Sequence, residues 1–476
     1  MGYVSICTTN GRIYHKFINE DGERKVENVA FKPQVFVPYE HGTFRSYVTN
    51  IPLQAKKFEN CYEFFAYKKQ NKYSEEKYGW IDPEYQFLYQ TYKAGGFKTL
   101  DTTVTTKNLR YLFIDLEVLI EDGGEIGVLE NDSCYPISTI AAYDSYYNQR
   151  FVFGYKDYTG DGDFRYVKAD DELDMLKKFM HLWKSADYPD MVIGWNSHQF
   201  DIPYLCNRLA KLDQRLYREL SPIQYVSSKV IKDKDMFNKE FLIFDIAGVQ
   251  CVDLMSVYKK FETDPIVSYS LDVVSEKELK QNKLDYEGSL LKLYENDFNR
   301  YCDYNMIDVD LVVAINKKKK LLELVVEVSY NCMIMFNQVT LPTAQWNYKT
   351  TFECLLPNKI VPNLFNSNHL RSFKGGDVKE TIPGLHKWVQ SIDVGGMYPN
   401  GGIRSQNAGP ETILDGPGEN AVRSPSGHYF SKDTTSYFSQ MITKLVDERS
   451  RYKKEMKQKE KRLEELLLKK KQLTET

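Results

Sequence analysis

The sequence predicts a multidomain protein of mixed α+β and α/β class, with a β-rich N-terminal domain followed by an α/β domain built on a mostly buried sheet. Three observations lead there. A chain of 476 residues exceeds what one ordinary core organises, so two to four domains are expected. The first hundred or so residues hold short apolar runs broken by "NG", "EDG" and "EHG" turn signals. From about Leu109, strands alternate with helical patterns instead.

Taken in order, "YVSIC", "RIYHKFI" and "QVFVPY" read as N-terminal strands. Aromatic residues are dense, with 35 Tyr and 26 Phe; most serve core packing, and stacking on bases is a second use. "YLFIDLEVLI" is a buried strand, "STIAAYDS" and "RFVFGYK" continue its sheet, and "DDELDMLKKFMHLWKSA" is an amphipathic helix with acids in its first turn. "DMVIGWN" is another strand, and "DIPYLCNRLAKL" a helix with proline early, where a missing amide proton costs least. "NDFNRYCDYNMIDVDLVVAINKKKKLLELVVEVSYN" reads as a long helical region. After "LPTAQWNYKT" a linking region runs to the Gly-rich "FKGGDV", and "HKWVQSIDV" then forms a strand. The tail from "SYFSQMITKLVDERSRYKK" onward is a helix of roughly thirty residues or more, with a solvated or coiled-coil helix as the plain alternative.

Composition narrows the function classes. Apolar content of 42% and charged content of 27% give a soluble globular profile. The longest apolar runs, such as "LLELVVEV", fall far short of a membrane span of roughly 20 residues. No basic-apolar-small leader opens the chain, so a cytoplasmic location and no membrane partner are expected. Eight cysteines are scattered without a C-x-x-C pair, which argues for reduced, buried thiols rather than a zinc site or a disulfide frame. Net charge is −3, so any nucleic-acid contact must rest on local positive charge. The "NKKKK" run at 316–320 is one candidate, but it ends a helix, where lysines complement the dipole.

The candidate site is a set of carboxylates. In "FIDLEV", Asp115 and Glu117 stand two apart on a strand, so both side chains leave one face of the sheet. Two like charges on one face repel unless a cation lies between them; an exposed edge-strand pair is the structural alternative. "GWNSHQFDIPYLCNR" places Asp201 just before a proline-started helix, with Asn196 on the loop leading in, and "YNMID" places Tyr304 and Asp308 on one helix face. Phosphodiester hydrolysis needs an activated water and a sink for charge on the leaving oxygen. Two hard divalent cations about 3.5–4 Å apart provide both, and Mg²⁺ prefers oxygen ligands. Asp115, Glu117, Asp201 and Asp308 are therefore the candidate ligands. Tyr304 would orient the attacking water, because a phenol stays protonated and does not compete for metal.

These three motifs resemble the exonuclease motifs of family B replicative DNA polymerases. "KVIK" before a hairpin at 233–243, "DLMSVYKKF" at 253–261 and "SYSLDVVSEKEL" at 268–279 are most similar to polymerases of the T-even-type bacteriophage group. The resemblance implies a β-rich N-terminal domain over 1–109, to which 321–364 returns. It also implies a ribonuclease-H-like 3′→5′ exonuclease domain over 110–320, a partial palm over 365–436 and a first fingers helix over 437–476. It implies two divalent cations, Mg²⁺ or Mn²⁺, in each active site. The implied partners are primer-template DNA, a single-stranded DNA 3′ end and dNTP, with a sliding clamp as a further one.

"SIDVGGMYP" resembles the first polymerase motif, usually Asp-x-x-Ser-Leu-Tyr-Pro. By that resemblance Asp393 would bind both polymerase metals and Tyr398 would pack under the sugar of the incoming nucleotide. "LVDERSRYKK" resembles the first fingers helix, where Arg449 and Lys453 share a face and would reach the triphosphate. Two departures stand out. Gly396-Met397, preceded by Gly395, replaces the usual Ser-Leu, and these 476 residues contain neither Lys-x-x-x-Asn-Ser-x-Tyr-Gly nor Asp-Thr-Asp. The sequence reading is thus an intact exonuclease with an incomplete polymerase site, needing a second chain or a missing C-terminal part that carries the other palm and thumb motifs. A stand-alone exonuclease and a non-catalytic DNA-binding subunit are the alternatives.

Overall fold

In the computed structural model the described residues are 2–71, 78–79, 81–94, 101–120, 133–233, 239–264, 266–281, 284, 288–355, 358–361, 379–393 and 395–474. They fall into two compact units. The first comprises Met1–Val37, Ala55–Ser74 and Gly79–Pro357; the second comprises Pro38–Gln54, Glu75–Tyr78 and Asn358–Thr476.

The first unit opens with a three-stranded antiparallel sheet of Gly2–Thr9, Arg12–Ile18 and Arg24–Val29. Asn10 and Gly11 both take positive φ (48° and 71°), the two-residue turn that an Asn-Gly pair favours between twisted strands. The N-terminal region is less purely β than its turn signals suggest. Helices Cys61–Gln70 and Thr102–Asn108 form there, each capped by a side chain, Asn60 and Asp101 respectively, that accepts a backbone N–H of the first turn. Among the described residues, seven cysteines are free; Cys61, Cys206, Cys251 and Cys302 are buried as expected, whereas Cys7 and Cys332 are half-buried and Cys134 is exposed.

The main sheet of this unit has six strands, in the order Arg165–Lys168, Gln149–Gly154, Ile137–Asp144, Tyr111–Val118, Met191–Gly194, Gln250–Asp253. Tyr111–Val118 is antiparallel to Ile137–Asp144 and parallel to Met191–Gly194. It lies inside the sheet, which removes the edge-strand alternative for Asp115 and Glu117. Leu112, Ile114, Leu116 and Val118 face one core, with Phe179, Trp183 and Leu205. Phe113 faces the other, with Tyr301, Met306 and Val309 of helix Phe298–Lys319. Residues at i and i+2 share a face, so Asp115 and Glu117 follow Phe113 toward that helix.

The long helical region at 298–332 is two helices, the first ending at the "NKKKK" run as expected. Lys320 turns left-handed (φ 57°) between Phe298–Lys319 and Leu321–Cys332. The lysines before the break are engaged: Lys318 pairs with Glu278 at 3.2 Å, and Lys319 pairs with Glu262. Tyr3 donates its hydroxyl to the carbonyl oxygens of Ser329 (3.0 Å) and Ile334 (2.6 Å), tying the first strand to the end of the second helix. A helix, Pro342–Leu355, covers most of "LPTAQWNYKT" and runs five residues into the expected linking region; "FKGGDV" lies outside the described residues.

In the second unit, Phe44–Ser46 pairs antiparallel with Pro52 and Leu53 and parallel with Lys359–Ile360. A small sheet of Ile413–Leu414, Tyr429–Ser431 and Ala421–Arg423 follows. Helix Tyr437–Thr474 runs 38 residues, and its exposed second half is laced by pairs such as Arg462–Glu465 (3.3 Å). The strand expected at "HKWVQSIDV" does not form among the described residues: 386–393 is irregular and exposed, with Trp388 100% and Ile392 81% accessible. Its apolar alternation suits a strand, yet it pairs with none of the described strands. Among the described residues no helix is long and apolar enough to cross a membrane.

Candidate functional site: a carboxylate cluster on the central strand

Three chain segments meet at the C-terminal half of strand Tyr111–Val118. Oxygens of Asp115, Glu117 and Asp308 lie within 4.8 Å of one another. Asp115 and Glu117 come from the strand, and Asp308 descends from the third turn of helix Phe298–Lys319, where it is buried.

Asp201 sits beside these three rather than among them. It is the first residue of helix Asp201–Leu212, and its Oδ1 accepts the backbone N–H of Leu116, between the two strand acids, at 3.1 Å. Burial pushes its carboxyl up to about 7, against the backbone N–H groups that favour the anion; the charges of Asp253 and Asp308 push in the same direction as burial. A buried carboxyl with carboxylate neighbours accepts a proton readily, and a nearby cation would reverse that.

The helix is fastened to the strand at two levels. Ser138 Oγ donates to the Glu117 carbonyl (2.9 Å) and shares a 2.6 Å hydrogen bond with Tyr301 Oη. One turn on, Asn305 Nδ2 donates to Asp115 Oδ2 at 2.7 Å. Tyr301, Tyr304, Asn305 and Asp308 recur at i, i+3, i+4 and i+7, a single face. Tyr304 is buried on that face, one turn before Asp308.

Asp253 and Asn305 carried no role in the sequence reading. Asp253 is buried at the end of its strand; Oδ1 accepts the N–H groups of Asn196 (2.8 Å) and Met255 (3.1 Å), and Oδ2 accepts Ser256 Oγ (2.5 Å). It thereby caps the next helix and holds Asn196 in a left-handed conformation (φ 64°), which turns the chain toward Asp201. The "DLMS" stretch, an acid just before an apolar helical run, carried that capping signal. Asn305 stands between Tyr304 and Asp308 on their own helix face, a spacing that could have singled it out.

The other predicted residues are not assembled in this way. Asp393 is exposed in the irregular segment, and Tyr398, 75% accessible, lies on a π-helical turn at Met397–Arg404. Arg449 and Lys453 project from the exposed face of helix Tyr437–Thr474. No hydrogen bond or ion pair joins these four among the described residues. Gly396 starts the π-turn at φ 64°, a reason for glycine where the resembling motif has serine.

The donor set fits a hard divalent cation. It is all oxygen, supplied by two strand residues and one buried helix residue whose mutual repulsion a dication would relieve. Two family models match: the exonuclease domain of DNA polymerase family B over residues 59–274, and DNA polymerase family B over 304–475. The DNA-directed DNA polymerase of Escherichia phage RB69 is 27% identical, over 95% of this chain and 53% of its own length. That of Enterobacteria phage T4 is also 27% identical, over 95% and 54%. A DNA polymerase of Pyrococcus horikoshii is 27% identical over 76% of the chain and 28% of its own length. The chain thus spans about half the length of its phage relatives. Asp115, Glu117 and Asp201 fall in the first matched region, and Tyr304, Asp308 and Asp393 in the second, and the chain belongs to the family B DNA polymerases.

Proposed function

We propose that this chain is the exonuclease-bearing portion of a replicative DNA polymerase, removing 3′-terminal nucleotides at the Asp115–Glu117–Asp308 cluster with Asp201 beside it. The observation that carries the reading is the convergence of those carboxylate oxygens on an interior strand, where an apolar sheet has no structural use for them. Asp115, Glu117, Asp201 and Asp308 would hold two divalent cations, which supply a lowered pKa for bound water and a positive charge opposite the leaving oxygen.

The chain's own groups do the rest. Water adds to the terminal phosphorus as the bond to the 3′-oxygen of the preceding nucleotide breaks, and that oxygen takes up a proton. Tyr304, a protonated phenol one turn from Asp308, orients the water by hydrogen bonding. The backbone N–H of Leu116 and the Asp253-locked Asn196 turn hold Asp201 against the strand.

Polymerisation is proposed for the assembled site. There Asp393 would hold metal, Tyr398 would face the sugar of a dNTP, and Arg449 and Lys453 would reach its triphosphate. A second catalytic aspartate must come from outside these 476 residues, either in a continuation of the polypeptide or in a second chain. The exposure of Leu385, Trp388, Val389 and Ile392 supports a segment that gains cover on assembly.

The test measures degradation of 3′-labelled single-stranded DNA in Mg²⁺ by the wild type and by Asp115→Ala/Glu117→Ala. Loss of about 10³-fold or more is expected, from several kcal/mol of charge stabilisation. Undiminished degradation by the double variant would refute the site. Adding a polypeptide with the missing aspartate motif should confer nucleotide incorporation. A stand-alone exonuclease is the second reading, favoured by the contrast between the assembled carboxylates and the dispersed Asp393 group. Under it, Tyr398→Phe and Arg449→Ala alter no activity.

A further inference from the structure

Asn305 is fully buried at the contact between helix Phe298–Lys319 and the central strand. Its Nδ2 donates to Asp115 Oδ2 at 2.7 Å and approaches the Asp115 carbonyl oxygen at 3.4 Å. An ionised carboxylate only accepts, so the acceptor fixes which end of the Asn305 amide faces it. The amide oxygen, Oδ1, is buried with no hydrogen-bond partner among the described residues. Leaving a buried amide oxygen unmatched is unfavourable, so this amide is held in place by what its nitrogen does. Leucine would fill the same space without that cost.

Resting on the exonuclease reading above, we propose that Asn305 is a positioning residue for cation binding. By occupying Asp115 Oδ2 it fixes the carboxylate plane, so that Oδ1 is the oxygen turned to the ion shared with Glu117 and Asp308. The same helix brings Asp308, so one rigid element sets both the ligand it carries and the orientation of the ligand it faces. Asn305 itself touches neither substrate nor ion. Tyr301 of the same helix reaches the Glu117 backbone carbonyl through Ser138.

The test uses the full chain as Asn305→Leu and Asn305→Ala, with Asp115→Ala/Glu117→Ala as the baseline for Mn²⁺ bound elsewhere. Mn²⁺ affinity is measured by calorimetry without DNA, melting without metal, and kcat and KM on single-stranded DNA. Orienting partners of metal-holding carboxylates are typically worth 10–100-fold in affinity or activity. Both variants should therefore weaken Mn²⁺ binding about 10–100-fold, lower kcat comparably and leave KM for DNA unchanged. Either variant melting cooperatively and binding Mn²⁺ as the wild type does would overturn the proposal. So would loss of the melting transition in both, which would assign Asn305 to the fold alone. A wild type whose Mn²⁺ binding matches the baseline defeats the exonuclease reading itself; a wild type that binds while the variants match it defeats only the role of Asn305.

Discussion

Asp190→Asn is the most informative perturbation of the frame that carries the site. Asp190 is fully buried just before strand Met191–Gly194; Lys16 Nζ lies 2.6 Å and Arg24 Nε 2.9 Å from its oxygens, and the Arg110 N–H donates to it at 2.7 Å. Lys16 and Arg24 also bind carbonyl oxygens of Ala186, Asp187 and Tyr188, all at positive φ. The cluster thus pins the strained turn that leads through strand Met191–Gly194 toward Asn196 and Asp201.

At 2.6 Å and an effective dielectric of about 20, the Lys16–Asp190 attraction is about 6 kcal/mol before desolvation is subtracted. Removing one partner of such a buried pair typically costs about 3–5 kcal/mol, and that is the expected destabilisation near pH 7. The pH dependence follows from Lys16. Burial lowers its pKa, Asp190 raises it, and Arg24 and Arg110 lower it. In the variant the supporting charge is gone, so the folded-state pKa of Lys16 drops further below its unfolded value and folding favours release of its proton. The unfolded state then holds that proton more tightly, and variant stability rises with pH, by at most about 1.4 kcal/mol per unit, below the usual lysine pKa. The deficit against wild type should therefore shrink between pH 7 and 9. Asp190 itself, held below the usual carboxylate range by Lys16, Arg24 and the Arg110 amide despite its burial, contributes stability that is lost in strong acid. Urea unfolding followed by the fluorescence of buried Trp183 measures both effects. A variant equal in stability to wild type at pH 7, or a deficit that widens toward pH 9, would refute this account.

Three further outcomes are expected. Tyr304→Phe should lower exonuclease kcat about 10²-fold while Mn²⁺ binding is unchanged, as single-turnover kinetics and calorimetry would show; weakened Mn²⁺ binding would place Tyr304 among the ligands. Lys318→Ala with Lys319→Ala should cost about 1 kcal/mol in urea unfolding, because both lysines are partly exposed partners of Glu278 and Glu262. The salt dependence of DNA binding should not move; a shallower slope would make these lysines phosphate contacts. Gly396→Ala should destabilise the second unit by about 1 kcal/mol in thermal melting, since φ is 64° there; no change would mean the turn relaxes at no cost.

Much of the site was legible from spacing alone. Asp115 and Glu117 share a face because strands alternate, and Tyr304 and Asp308 share one because helices repeat every 3.6 residues. Periodicity also gave four of the six strands of the main sheet and the C-terminal helix, whose patterns are long and local, but not the four-residue strands Arg165–Lys168 and Gln250–Asp253. It missed the helices at 61–70 and 102–108, which rest on single capping side chains.

By itself, then, the sequence singled out the candidate carboxylates and the faces they occupy, since face and spacing depend on near neighbours in the chain. Tertiary structure decided what required distant segments to meet: that Tyr111–Val118 is an interior strand, that Asp201 hangs on the Leu116 amide beside the other three acids, and that Asn305 holds Asp115. It also decided that 386–393 pairs with no strand among the described residues, since a strand needs a neighbouring edge that its own residues cannot provide.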